Sequence, residues 1–172
     1  MKLPNTKRCN LFKFLLRTKT INLFLIGIFL PVLFSLIVAL MNHLLPDIFT
    51  FPDGEDVSEK IRQNPRLLII ALLVAPFSET LLQYVPVKFA STYKQKKYRY
   101  INFLAILLSA VVFGYIHDGF AFMIFIPLFF AGFVWATLCL VFIKREILPY
   151  ISVAAIHAMY NAILLTLDRM LY

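Results

Sequence analysis

The chain has 172 residues, of which 61% are hydrophobic, 16% aromatic and only 15% charged, and its mean hydropathy is +0.82. A soluble domain is roughly half apolar and about a quarter charged, so this composition excludes an ordinary globular protein and points to an integral membrane protein. Each helical span takes on the order of 20 residues, which gives length for one transmembrane domain of about five or six spans and none for a separate soluble domain.

Residues 1–20 form a basic arm, "KRCNLFKFLLRTK", expected to be cytoplasmic. The apolar run that follows is too long for the hydrophobic region of a cleaved signal, and no small-x-small cleavage site closes it. It is therefore read as a first span, near residues 21–43, with Pro31 expected to bend it. The polar connection 44–66 carries Asp47, Asp53, Glu55, Asp56 and Glu59 and is expected on the outer side. Further spans are expected near 67–87, 100–117, 120–143 and 148–167. The runs are continuous and too long for barrel strands, which alternate over about ten residues. The expected fold is an all-α, polytopic helical bundle of about five transmembrane helices.

The net charge of +8 is distributed like a topology signal. Six Lys and Arg lie in the arm, five over 88–99 and two at 144–145, against three in 44–66 and one after the last span. By the positive-inside rule the N-terminus is inside and the C-terminus outside. The basic runs then read as contacts to anionic membrane lipids, and nucleic acid is not an expected partner. Cys9 and Cys139 fall on no metal-ligand spacing and make no disulfide framework.

The spans hold few ionisable groups, and those few carry the functional argument. A carboxylate at membrane depth has a partner or a task, and Glu79 sits within "APFSETLLQYVP", where Pro76 is expected to bend the second span. "FGYIH" supplies Phe113 and His117, and "HAMYN" supplies His157 and Asn161. Residues four apart share a helix face, so His157 and Asn161 present an imidazole and an amide to one point. At about 1.5 Å per residue, Glu79 lies about 18 Å and His157 about 16 Å from the outer face, close to the midplane. His117 lies about 25 Å from the inner face on the same arithmetic, a mismatch of about 10 Å. A tilt of the third helix, an inward slide or local bilayer thinning absorbs it. An acid, two imidazoles and a carboxamide fit amide hydrolysis: the acid activates water, and His with Asn stabilises an oxyanion. A divalent metal such as zinc on Glu79, His117 and His157 also fits the residue types, although no HExxH-like pair fixes its geometry.

Taken together, "PFSETLLQ", "FGYIH" and "HAMYN", in that order on three spans, resemble the CPBP family of intramembrane endopeptidases, the type II CAAX prenyl proteases and bacteriocin-processing relatives. The family's motifs are EExxxR, FxxxH and HxxxN. The last two match fully; in the first, Glu79 takes the first acid, Thr80 the second and Tyr84 the arginine, with Gln83 one residue early. The alternative register puts Ser78 at the first acid and Gln83 at the arginine, and implies an inactive site. On the favoured register the resemblance implies catalytic Glu79, His117, His157 and Asn161: Glu79 as general base, His117 as its partner on water or metal, and His157 with Asn161 as oxyanion site. The implied substrate is a membrane-associated peptide, prenylated or leader-like, in a bacterial cytoplasmic membrane. Two other readings stay open. One is a catalytically degenerate binding or immunity protein of the same fold; the other is a proton-coupled transporter, which the lack of an internal repeat speaks against.

Overall fold

In lipid every backbone N–H and C=O must find a partner within its own segment, so long uncharged runs fold as helices. The computed structural model describes residues 11–44, 63–93, 99–118 and 122–171, and every element among them is helical. In chain order these are α1 Leu11–Arg17, α2 Thr20–Leu44, α3 Arg66–Ser91, α4 Arg99–Asp118, α5 Phe122–Lys144 and α6 Pro149–Leu171. The five helices α2 to α6 are long and apolar enough to cross a membrane, and the protein is an all-α membrane bundle. Part of the basic arm is helical as α1, which packs on α5. Cys9, most of the acidic 44–66 connection and all of 94–98 lie outside the described residues.

α5 is the axis of the bundle. It packs against α2, α3, α4 and α6 and buries half of its span, whereas the others bury a third or less. A helix that is apolar all round belongs inside, and Ala131, Trp135, Leu138, Cys139, Val141 and Phe142 are sealed there. The surrounding helices keep an apolar face outward for lipid, with Phe29 and Leu33 on α2, Leu81 and Phe89 on α3, and Leu104 and Leu108 on α4 exposed. Helices approach closely in membranes through small residues. A Cβ on Gly27 would stand 2.6 Å from Leu138 Cδ1 and 2.9 Å from Ile156 Cγ2, and one on Gly132 would stand 3.0 Å from Phe113 Cβ. Trp135 Nε1 donates to the Gly27 carbonyl at 2.9 Å, tying α5 to α2 where they are closest.

Pro31 lies inside the continuous α2, while Pro76 coincides with a real irregularity: Ile70–Val74 is π-helical. The Ala75 N–H reaches the carbonyl of Ile70, five residues back. The next donor in that register would be residue 76, a proline without an N–H. The Ala71 carbonyl is therefore left for a donor from another helix.

The α5–α6 turn is closed by a Schellman arrangement. Ile147 N–H bonds the Phe142 carbonyl at 3.1 Å and Glu146 N–H bonds that of Ile143 at 3.3 Å, with Glu146 left-handed at φ 58° where glycine is usual. Arg145 donates to the Thr18 carbonyl and to Thr20 Oγ1, at 2.7 and 3.2 Å, so this basic turn also fixes the junction of α1 and α2.

Candidate active site

Three helices bring the expected residues together. Glu79 Oε2 on α3 lies 3.3 Å from His117 Nε2 on α4 and 3.5 Å from His157 Nε2 on α6. The His157 side chain is nearly sealed at 3% exposure, whereas those of Glu79 and His117 keep 20% and 27%, so the cluster is closed behind His157 and open in front of the acid.

The mismatch in depth of His117 disappears through stagger. From His117 back to the start of α4 is about 27 Å of helix, and from Glu79 on to the end of α3 about 18 Å. With the two side chains in contact, the Arg99 end of α4 runs roughly 9 Å past the Ser91 end of α3. At the opposite end α4 is described to one residue after His117, while α3 extends for about 20 Å on the N-terminal side of Glu79, with Ile69, Ile70, Leu73 and Val74 exposed. The acid thus sits level with the last described turn of α4.

Aromatic packing fixes both imidazoles. His157 lies against the Trp135 indole with ring centroids 4.1 Å apart, and Phe113 meets it edge-on at 5.5 Å. Phe113 also touches His117 at 4.6 Å and Trp135 at 5.3 Å, so the phenyl ring of FxxxH is the wedge between the two histidines. Behind them Tyr160 packs edge-on against Trp135 at 5.2 Å and exchanges a hydrogen bond with Ser35 at 2.9 Å. Trp135, the one tryptophan in the chain, belongs to none of the three motifs. Its position four turns along an uncharged helix gave no sign that it would face a histidine.

Proton accounting narrows what the cluster holds. The Phe113 carbonyl only accepts, so His117 Nδ1, 2.7 Å away, carries a hydrogen and donates it. His117 Nε2 then faces Glu79 either as a second donor or as an acceptor from a protonated carboxyl. Both contacts to Glu79 exceed the roughly 2.7–2.9 Å of a charge-assisted hydrogen bond. A carboxyl group and an imidazole 3.3 Å apart and both partly exposed are suited to take a proton from water and return it.

Asn161 lies one turn outward of His157 on α6, and its amide is engaged. Nδ2 donates at 2.9 Å to the Ala71 carbonyl, the one that Pro76 leaves without a helical donor. One of its two N–H groups remains for other use. Ser78 is turned away from the histidines and bonds the carbonyls of Val74 and Ala75 in its own helix, at 2.9 and 3.0 Å. Glu79, not Ser78, is the residue that both imidazoles face, in keeping with the first of the two registers.

The residues fit a metal poorly. Among the described residues no group of three His, Cys, Asp or Glu is arranged to hold an ion. Toward the Arg66 end of α3 and the C-terminal end of α6, a cavity of about 190 Å³ opens between these helices, lined by Leu68, Leu72, Ala162, Leu165 and Thr166. The Thr166 hydroxyl bonds the Ala162 carbonyl at 2.7 Å, which leaves the lining effectively apolar.

A family model described as type II CAAX prenyl endopeptidase, Rce1-like, matches residues 62–163, which include Glu79, His117, His157 and Asn161. The chain belongs to the Rce1-like family. Searches of curated proteins and of solved structures give no significant match. Membership makes the protein one of a family of CAAX-type intramembrane proteases, and the five apolar helices agree with an integral membrane location. In this Rce1-like chain Tyr84 packs on Tyr150 with ring centroids 5.8 Å apart, and the Tyr150 hydroxyl donates to the Phe77 carbonyl at 3.0 Å, so neutral contacts join α3 to α6 here.

Proposed function

We propose that this Rce1-like protein is an intramembrane endopeptidase that cleaves a membrane-associated peptide by glutamate-activated water, without a catalytic metal. The observation that carries the proposal is the meeting of Glu79 Oε2 with the Nε2 atoms of His117 and His157 from three different helices. His117, anchored through Nδ1, holds a water with Glu79. The carboxylate takes one proton as the water oxygen adds to the peptide carbonyl carbon. The resulting oxyanion receives hydrogen bonds from His157 Nε2–H and from the free N–H of Asn161. The C–N bond then breaks as Glu79 passes the proton to the amine nitrogen.

The apolar cavity next to Asn161 supports a substrate with an aliphatic or prenyl-like portion near the scissile bond. The N-terminus is placed inside and the C-terminus outside on the distribution of basic residues. The loss of the family's second acid and arginine does not favour a degenerate binding protein, because removing both members of an ion pair leaves no orphan charge and the Glu79 cluster is intact.

The test is cleavage of lipidated and unlipidated membrane peptides by purified Glu79→Gln protein. A fall of about 10²–10⁴-fold is expected; undiminished turnover would remove Glu79 from the chemistry.

A further inference from the structure

The buried face of α3 carries Pro76 before the acid and continues inward past it as Thr80, Gln83 and Val87, and two of these side chains are polar. Gln83 is 1% exposed and Thr80 is fully buried. Neither atom of the Gln83 amide has a protein partner, nor does the Thr80 hydroxyl. Gln83 is four residues inward of Glu79, one turn along α3. On the antiparallel α4, registered by the Glu79–His117 contact, Ser109 lies two turns inward of His117 and is likewise buried and unpartnered. His157 Nδ1, behind the acid, is a fourth such group.

An unmet amide or hydroxyl in an apolar interior is destabilising, and a helix in lipid has no solvent to turn it towards. Native interiors meet such groups with ordered water, which needs two to four polar partners. Gln83 offers two donors and an acceptor, and Thr80 and Ser109 a hydroxyl each. We propose that Gln83, with Thr80 and Ser109, holds ordered water on the inward side of Glu79, and that Gln83 is a positioning residue for the water the acid activates. The inference rests on the hydrolytic reading above. Each turnover consumes one water, whose oxygen ends in the new carboxyl group and whose protons end on the two products, so the site must be refilled. Neutral groups would keep such water one turn from the acid with no second charge buried there.

The first experiment does not depend on activity. The chain has three glutamines, Gln63, Gln83 and Gln95. In detergent micelles, ¹⁵N-glutamine-labelled protein carrying Gln63→Glu and Gln95→Glu leaves one side-chain amide signal, that of Gln83. Magnetisation transfer from water to this amide is expected, and its absence, in a dry interior, overturns the proposal. The second experiment is kinetic. Gln83→Met and, independently, Thr80→Val replace polar groups by shapes of similar size. Each is expected to lower kcat on the order of tenfold with little change in KM, while thermal stability holds or rises. Unchanged kcat in both folded variants overturns the positioning role. If Glu79→Gln stays active while the Gln83 amide still exchanges magnetisation with water, the hydrolytic reading has failed and the water chamber has not.

Discussion

The bond from Asn161 to the Ala71 carbonyl offers a sharp test, because its structural and catalytic duties separate in different backgrounds. Asn161→Ala removes the donor at 2.9 Å and leaves a carbonyl that the helix itself does not serve, since residue 76 is proline. A carbonyl left unmet in an apolar surrounding costs about 1–3 kcal/mol, and side-chain hydrogen bonds between membrane helices average nearer 0.6 with a maximum of about 1.7 kcal/mol. A loss of about 1–1.5 kcal/mol is therefore expected on unfolding in mixed detergent micelles. In a Pro76→Ala background the N–H of residue 76 becomes available to α3, and the same Asn161→Ala change should then cost about half as much or less. The coupling energy of this double-mutant cycle measures how far Pro76 creates the need that Asn161 meets. Activity should behave otherwise. If the second N–H of Asn161 also stabilises the oxyanion, Asn161→Ala lowers kcat by about 10²–10³-fold in both backgrounds. Additive stability changes, with no coupling between positions 76 and 161, would refute the account of the π segment.

Four further outcomes are expected. Glu146→Gly should raise stability by about 1 kcal/mol in thermal unfolding, because a left-handed residue carrying a Cβ is relieved; a loss would mean that the Glu146 side chain itself is needed at the turn. Gly132→Leu should sharply lower both stability and cleavage, since its Cβ alone would stand 3.0 Å from Phe113 Cβ and 3.2 Å from Ala110 Cα, and displacing Phe113 loosens both histidines. Trp135→Phe keeps the aromatic body beside His157 but deletes the bond to the Gly27 carbonyl, and should cost about 1 kcal/mol or more. Cleavage should persist after treatment with a strong zinc chelator; loss of activity that added zinc restores would transfer the water from Glu79 to a metal.

The sequence by itself determined the solvent and the alphabet of the site. Five uncharged runs can only become helices in hydrocarbon, where no water meets an open backbone, and so few ionisable groups lie within them that Glu79, His117 and His157 stand out without any fold. The i, i+4 spacing also announced that Phe113 and His117 share a face of their helix, as do His157 and Asn161. What sequence could not state was register between helices. Depth arithmetic left His117 adrift by about 10 Å, and only the stagger of α4 against α3 brought its ring to the acid, because packing and not span length sets how far one helix slides past another. The same holds for Trp135 and Ala71. An indole within an apolar helix and a backbone carbonyl carry no periodic signal, and their partners, His157 and Asn161, lie on another helix. Pro76 was legible as a helix irregularity, but which carbonyl it would orphan, and which side chain would serve it, is decided by contacts between residues some ninety positions apart, which local pattern does not encode.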